Sequence, residues 1–155
     1  MAIGRMKSGP ERELVSRYLD RARAQGRGLG LSGFDVLEAA ESRLGSPDQR
    51  RADESRFLAQ PGTASRRIVL DERGESLGSE ALAARISAWN DAGTPALHAL
   101  IGGPDGLDPS LRRDADLVLA LSPLTWPHQL VRIMLAEQLY RATTILAGHP
   151  YHRAG

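Results

Sequence analysis

Five short apolar runs alternate with stretches of helical periodicity along this 155-residue chain, and that alternation constrains its fold more than any other feature. The runs are "MAIG" (1–4), "FDVLE" (34–38), "RRIVLD" (66–71), "ALHALIGG" (96–103) and "DLVLALS" (116–122). Between them, Leu14, Val15, Tyr18, Leu19 and Ala22 recur at helical spacing behind Ser8 and Glu11, which stand in capping-box positions with Pro10 in the first turn. "ADESRFLAQ" (52–60) reads as a helix after a polar connector at 41–51. Ser79 is placed to cap a helix carrying Leu82, Ile86 and Trp89, and Asp108 with Pro109 opens a short one. Residues 127–148 read as a long final helix that Gly148 stops. Strand–helix alternation of this kind predicts an α/β fold, a mainly parallel sheet with helices on both faces, in a single domain over residues 1–155. Ligands of such sheets bind beyond the carboxyl ends of the strands. That rule points to the loops after Leu70–Asp71, Ile101 and Leu121.

Composition narrows the chemistry. The absence of cysteine excludes disulfides, thiol nucleophiles and cysteine-ligated metals. No apolar run approaches the roughly 20 residues that span a bilayer, and the first ten residues lack the apolar core of a signal peptide, so a cytoplasmic protein is expected with no membrane partner. Net charge is only +1, but nineteen of the twenty basic residues are Arg, the exception being Lys7. Arg binds phosphate bidentately, which suits RNA; a GC-rich genome accounts for the bias equally well.

Three stretches carry candidate chemistry. In "IGGPDGLD" (101–108), Gly102 and Gly103 would let a ligand approach the backbone while Pro104 stiffens the turn. A tight turn explains the same residues, and G-x-G-x-x-G is missing, so a dinucleotide fingerprint is not supported. "LSPLTWPH" (121–128) offers the hydroxyls of Ser122 and Thr125, the apolar surface of Leu124 and Trp126, and a path fixed by Pro123 and Pro127. Such a loop suits the edge of a purine; equally, Thr125 would cap the long helix and Trp126 would anchor the core. The long helix shows an apolar stripe at Leu130, Val131, Met134, Leu135, Leu139 and Ile145, with further apolar residues at Ile133 and Leu146 that call for a two-fold partner. Glu137 and Arg141 stand at ion-pair spacing, and Glu137 is the sole acid of residues 117–155, where Arg132, Arg141 and Arg153 lie. The end, "GHPYHRAG" (148–155), crowds proton-carrying groups together. His149-x-x-His152 is broken by Pro150 and has no nearby carboxylate, so no metal is expected.

Taken together, "LIGGPDGL" (100–107), "LSPLTWPHQLVRIMLAEQLYRA" (121–142) and "HPYHR" (149–153) resemble the RlmH family of SPOUT-class methyltransferases, which modify pseudouridine at N3 in 23S ribosomal RNA; 4–22 and 67–74 fit as well. The resemblance implies a C-terminal deep trefoil knot, a homodimer acting on the ribosome, and S-adenosylmethionine as cofactor. It implies cofactor binding by Leu70, Gly103, Ser122, Pro123, Leu124, Thr125, Trp126 and Pro127, and a catalytic set of Tyr151, His152, Arg153 and Glu137. Within it, the tyrosine stacks on or bonds a base, the arginine holds a phosphate or carbonyl, and a histidine takes the N3 proton. A SPOUT enzyme for another RNA base, and a ribosome-associated module without catalysis, remain as alternative readings.

Overall fold

The computed structural model describes residues 1–152, so Arg153 lies outside the described residues. Their contacts divide into two units. The first, made of residues 1–5, 36–76 and 94–128, holds every strand. These are β1 (Ala2–Ile3), β2 (Glu38–Ala39), β3 (Arg66–Glu75), β4 (Leu97–Leu100) and β5 (Leu117–Leu119). β3 pairs in parallel with β4 on one side and β5 on the other, and β1 pairs in parallel with β2. A parallel bridge between Ala2 and Ile101, with the Ile3 N–H donating to the Ile101 carbonyl at 3.0 Å, runs the two pairings together in the order β2-β1-β4-β3-β5.

Side-chain alternation then fills both faces. Ile3, Val69 and Leu100 cluster with Leu58 of α2 (Pro47–Leu58) and Leu111 of α4 (Pro109–Arg113). Their strand neighbours Ala2 and Ile68, and Leu117 and Leu119 of β5, are buried too. Parallel pairing of strands is what the apolar runs predicted.

The second unit, residues 6–35, 77–93 and 129–155, contains α1 (Pro10–Gly26), α3 (Ser79–Asp91) and α5, whose first residue His128 still belongs to the first unit and which runs His128–Leu146. Met6, Val15, Leu19 and Ala136 form its core, with Tyr18, Phe34, Ile133 and Leu139 packed around them.

Several local expectations shift. Gly9, not Ser8, is the N-cap of α1, and no side chain caps it; Pro10 at the first helical position supplies the start instead. Likewise Gly78 caps α3, which frees the Ser79 hydroxyl to donate to Gln138 at 2.8 Å. The second strand is two residues at 38–39 rather than 34–38, and Phe34 has a left-handed φ of 64°, which no strand residue adopts. α2 begins at Pro47 rather than 52, because Ser46 and Gln49 make a reciprocal capping box inside the polar stretch. On α5 the buried residues are Arg132, Leu135, Ala136, Tyr140, Ala142, Thr143 and Thr144. Of the expected stripe only Leu135 is among them, and Leu130 is 40% exposed. The threonines can be buried because their hydroxyls donate to the carbonyls of Tyr140 and Arg141, both at 2.7 Å. Gly148 does stop the helix. At φ 65° it lets its own N–H donate to Ile145 and the His149 N–H to Thr144, the two bonds of a Schellman motif.

Candidate active site

The loop after β4 is built from its own turn and pinned from α2. The Gly106 N–H donates to the Gly103 carbonyl at 2.9 Å, closing a turn with Pro104 and Asp105 at its centre. Arg50 grips the Asp105 carboxylate with two nitrogens, at 2.6 and 3.0 Å, and the Arg51 guanidinium donates to the Asp105 carbonyl. The Arg50 hydrogen bonds hold the Asp105 carboxyl below the usual carboxylate range. Gly103 itself is glycine for a reason other than ligand approach. A Cβ there would stand 2.8 Å from Oε2 of Glu54 and 3.0 Å from Cγ2 of Ile3, so its missing side chain points into the core of the first unit.

Glu54, behind Gly103, is 6% exposed and half satisfied. Its Oε1 accepts from the Ser42 N–H at 2.9 Å, while its Oε2 and the Ser42 hydroxyl are buried without partners among the described residues. Burial pushes its carboxyl pKa up against the lowering effect of the Ser42 N–H. Midway along β3, burial likewise raises the Asp71 carboxyl, but the Arg112 guanidinium at 2.8 Å and the Arg73 N–H outweigh it and bring it below the usual range. Leu70, next to Asp71, is half-buried and opposite Leu119 of β5.

The stretch Ser122–Pro127 leaves β5 as an exposed loop organised by one hydroxyl. Ser122 Oγ accepts from the Leu124 N–H at 2.8 Å and from the Trp126 indole at 3.0 Å. Thr125 does not cap α5; its hydroxyl lies 3.5 Å from a Glu72 carboxylate oxygen. Trp126 is no core anchor either: it is 38% exposed, and Leu124 65%, so this loop displays apolar surface. Directly after Pro127, the His128 ring nitrogen Nε2 lies 2.8 Å from the Gly102 carbonyl. That contact ties the end of this loop to the glycine turn, while β3–β5 pairing sets Leu70 beside β5. Of the cofactor residues implied by the resemblance, Gly103 follows β4 and Ser122–Pro127 follow β5, while Leu70 lies inside β3, which runs on to Glu75 rather than giving way to the expected loop after Asp71.

The C-terminal group assembles within the second unit. The Tyr151 hydroxyl donates to Glu137 Oε1 at 3.0 Å, and Arg141 donates to the same oxygen at 2.5 Å. Gln138 donates to Glu137 Oε2 at 2.8 Å. The Tyr151 ring lies 4.6 Å from that of Tyr140, and the Arg141 guanidinium stands 5.0 Å from its centroid. Burial and the bond to Glu137 push the Tyr151 phenol up to about 12, which fixes it as a hydrogen-bond donor near neutral pH. His152 Nε2 lies 3.3 Å from Glu80, and its Nδ1 is buried without a partner among the described residues. Among the described residues, no three His, Cys, Asp or Glu side chains gather as a metal would require, and no helix is long and apolar enough to cross a membrane.

A family model described as "Predicted SPOUT methyltransferase" matches residues 1–152. The chain belongs to the SPOUT methyltransferase family. Curated relatives agree in length and sequence. The protein named Ribosomal RNA large subunit methyltransferase H from Brucella anthropi is 56% identical over 154 residues, covering 99% of this chain and 96% of its own. The protein of that name from Mesorhizobium japonicum is 57% identical over 156 residues with the same coverage. A looser likeness, TM-score 0.40 and 16% identity over 95% of this chain and 60% of the other, is to the SpoU methyltransferase AviRb from Streptomyces viridochromogenes in complex with AdoMet.

For a SPOUT chain, the residues that sequence reading missed are the supports rather than the loops. Arg50, Glu54 and His128 touch the glycine turn from 55, 49 and 26 positions away or thereabouts. No short-range pattern marks such partners. Gln138 and Glu80, which flank the C-terminal group, had only helical spacing to recommend them.

Proposed function

We propose that this protein methylates N3 of a pseudouridine in the 23S ribosomal RNA of the large subunit, using S-adenosylmethionine, as a cytoplasmic homodimer that acts on the ribosome. The observation that carries this reading is the 56% identity, over nearly the full length of both chains, to a protein named Ribosomal RNA large subunit methyltransferase H. The single domain with a C-terminal knot is part of the same proposal, as is the assignment of cofactor and catalytic residues.

The residues fit the cofactor in kind. Leu124 and Trp126 offer exposed apolar surface for an adenine, on a loop whose backbone is held by Ser122. Leu70, Gly103 and Pro123, Thr125 and Pro127 would complete its binding. S-adenosylmethionine supplies an electrophilic methyl group on a positively charged sulfur.

The chain's own task is to place the base nitrogen in line with that methyl and to handle the N3 proton. Tyr151, whose single O–H is committed to Glu137, can stack on a base or accept from a base N–H through its phenol oxygen, and the Glu137–Arg141 pair orients the ring. His152 is the candidate to accept the proton, with Glu80 beside its ring; Arg153 would stabilise the developing anion. Mass mapping of 23S rRNA from a deletion strain tests the reading. One pseudouridine should lose a methyl group and regain it on complementation. An unchanged methylation pattern would refute it.

A further inference from the structure

A cleft in the first unit has no part in that assignment. It opens at the carboxyl ends of β1 and β2, encloses about 300 Å³, and is lined by Gly4, Arg5, Ala40, Glu41, Ser42 and Arg43. We propose that this cleft is a binding site for one nucleotide of the RNA substrate, with Arg5 and Arg43 on its phosphate and Glu41 on a base-edge N–H. The proposal rests on the RNA-methyltransferase reading for the identity of the polyanion.

Four observations support it. The cleft lies where parallel sheets bind ligands, beyond the carboxyl ends of strands. Its volume falls at the lower end of the range for small-ligand pockets, suited to a single nucleotide. Arg5 and Arg43 are exposed and make no ion pair or hydrogen bond among the described residues. Arg50, Arg66, Arg112 and Arg141, by contrast, are each matched to a carboxylate. Guanidinium groups left over at the mouth of a cleft suit phosphate, which they can grip bidentately.

Gly4 in the cleft lining is held to glycine by its backbone and its neighbours. Gly4 has a φ of 87°, and a Cβ there would lie 3.2 Å from Glu41 Oε1 and 3.9 Å from His128 Cε1. Any larger residue would be strained and would crowd the carboxylate. His128 in turn touches the Gly102 carbonyl, and Ser42 on the cleft wall is bonded to Glu54, which underlies Gly103. The cleft and the glycine turn thus share two supports, so a nucleotide seated here adjoins the turn that carries Gly103.

The test uses the full chain, with Arg43→Ala and the double variant Arg5→Ala/Arg43→Ala, against large ribosomal subunits from a deletion strain. Both side chains are exposed, so melting temperature should hold. Removing both contacts to that phosphate should weaken RNA binding about ten-fold or more and lower the slope of log affinity against log salt by about 0.7. KM for subunits should rise while kcat changes little, and S-adenosylmethionine affinity by calorimetry should be untouched. Unchanged RNA affinity and salt slope in the double variant would overturn the proposal. So would a fall in cofactor affinity with RNA binding intact, which would give the cleft to the cofactor. If the wild type binds RNA with this arginine-dependent slope but transfers no methyl group, the cleft stands and the functional reading falls.

Discussion

Gly103→Ala separates two accounts of the glycine turn. If the glycine exists to admit a ligand, the methyl should weaken cofactor binding and leave stability alone. The structure says otherwise, because the new Cβ would stand 2.8 Å from Glu54 Oε2, 3.1 Å from Oε1 and 3.0 Å from Ile3 Cγ2. Neither neighbour yields easily. Ile3 is 1% exposed in a paired strand, and the Glu54 carboxylate is held by the Ser42 N–H. Overpacking of this kind costs about 1–3 kcal/mol. For a chain of this length each kcal/mol lowers the melting temperature by roughly 2–4 °C. Gly103→Ala should therefore melt several degrees early while its folded fraction binds S-adenosylmethionine with near-native affinity. Cutting back the carboxylate should relieve part of the clash. In a cycle with Glu54→Ala, measured by urea denaturation, Gly103→Ala should cost less than in the wild type, with a coupling of about 0.5–2 kcal/mol. Additive effects, or lost cofactor binding at unchanged stability, would refute the reasoning and restore the ligand account.

Two further outcomes follow from the charges. The folded pKa of Glu54 is raised, so the stability it contributes is full below the unfolded carboxyl value of about 4.3 and is lost as pH rises through the folded value; Glu54→Gln should remove this component, seen as a flatter melting temperature between pH 4 and pH 8. Tyr151→Phe deletes the donor to Glu137 and should cost about 1 kcal/mol or less, since Arg141 and Gln138 still satisfy that carboxylate; with the phenol near 12, the wild-type pH–rate profile should show no limb from Tyr151 below pH 10, and a Tyr151-dependent limb near neutrality would contradict its role as a donor.

Much of the fold was legible because it is written in short-range patterns. Runs such as "RRIVLD" and "DLVLAL" carry both faces of a buried parallel strand, and they lie in β3 and β5. Gly148 and Asp108 did at the helix ends what their types imply. The errors came where two short-range signals competed. The polar run 41–51 looked like a connector, yet Ser46, Pro47 and Gln49 inside it are a helix start. On α5, counting apolar residues misplaced the buried face, because Thr143 and Thr144 hide their hydroxyls in the helix backbone and pack like small apolar residues.

In the candidate site the sequence marks the loops and leaves their supports unmarked, for a physical reason. A loop that leaves a strand end and carries glycine or proline announces itself locally, as "IGGPDG" and "SPLTWP" do. What holds such a loop is a charge or a ring brought from elsewhere by the fold: Arg50 on Asp105, Glu54 under Gly103, His128 on the Gly102 carbonyl. In sequence these residues sit on a helix, on the same helix one turn on, and at a helix start, where a solvated face is the ordinary explanation for each. Only the parallel pairing that sets β1 beside β4 brings Gly4 and His128 to one end of the sheet. The same pairing leaves Arg5 and Arg43 both lining the β1–β2 cleft, though nothing in "GRMK" or "ESRLG" marks either arginine apart from the other seventeen. Arginines that the fold leaves unmatched at a strand end are therefore better pointers to a polyanion than the arginine count, which codon usage explains equally well.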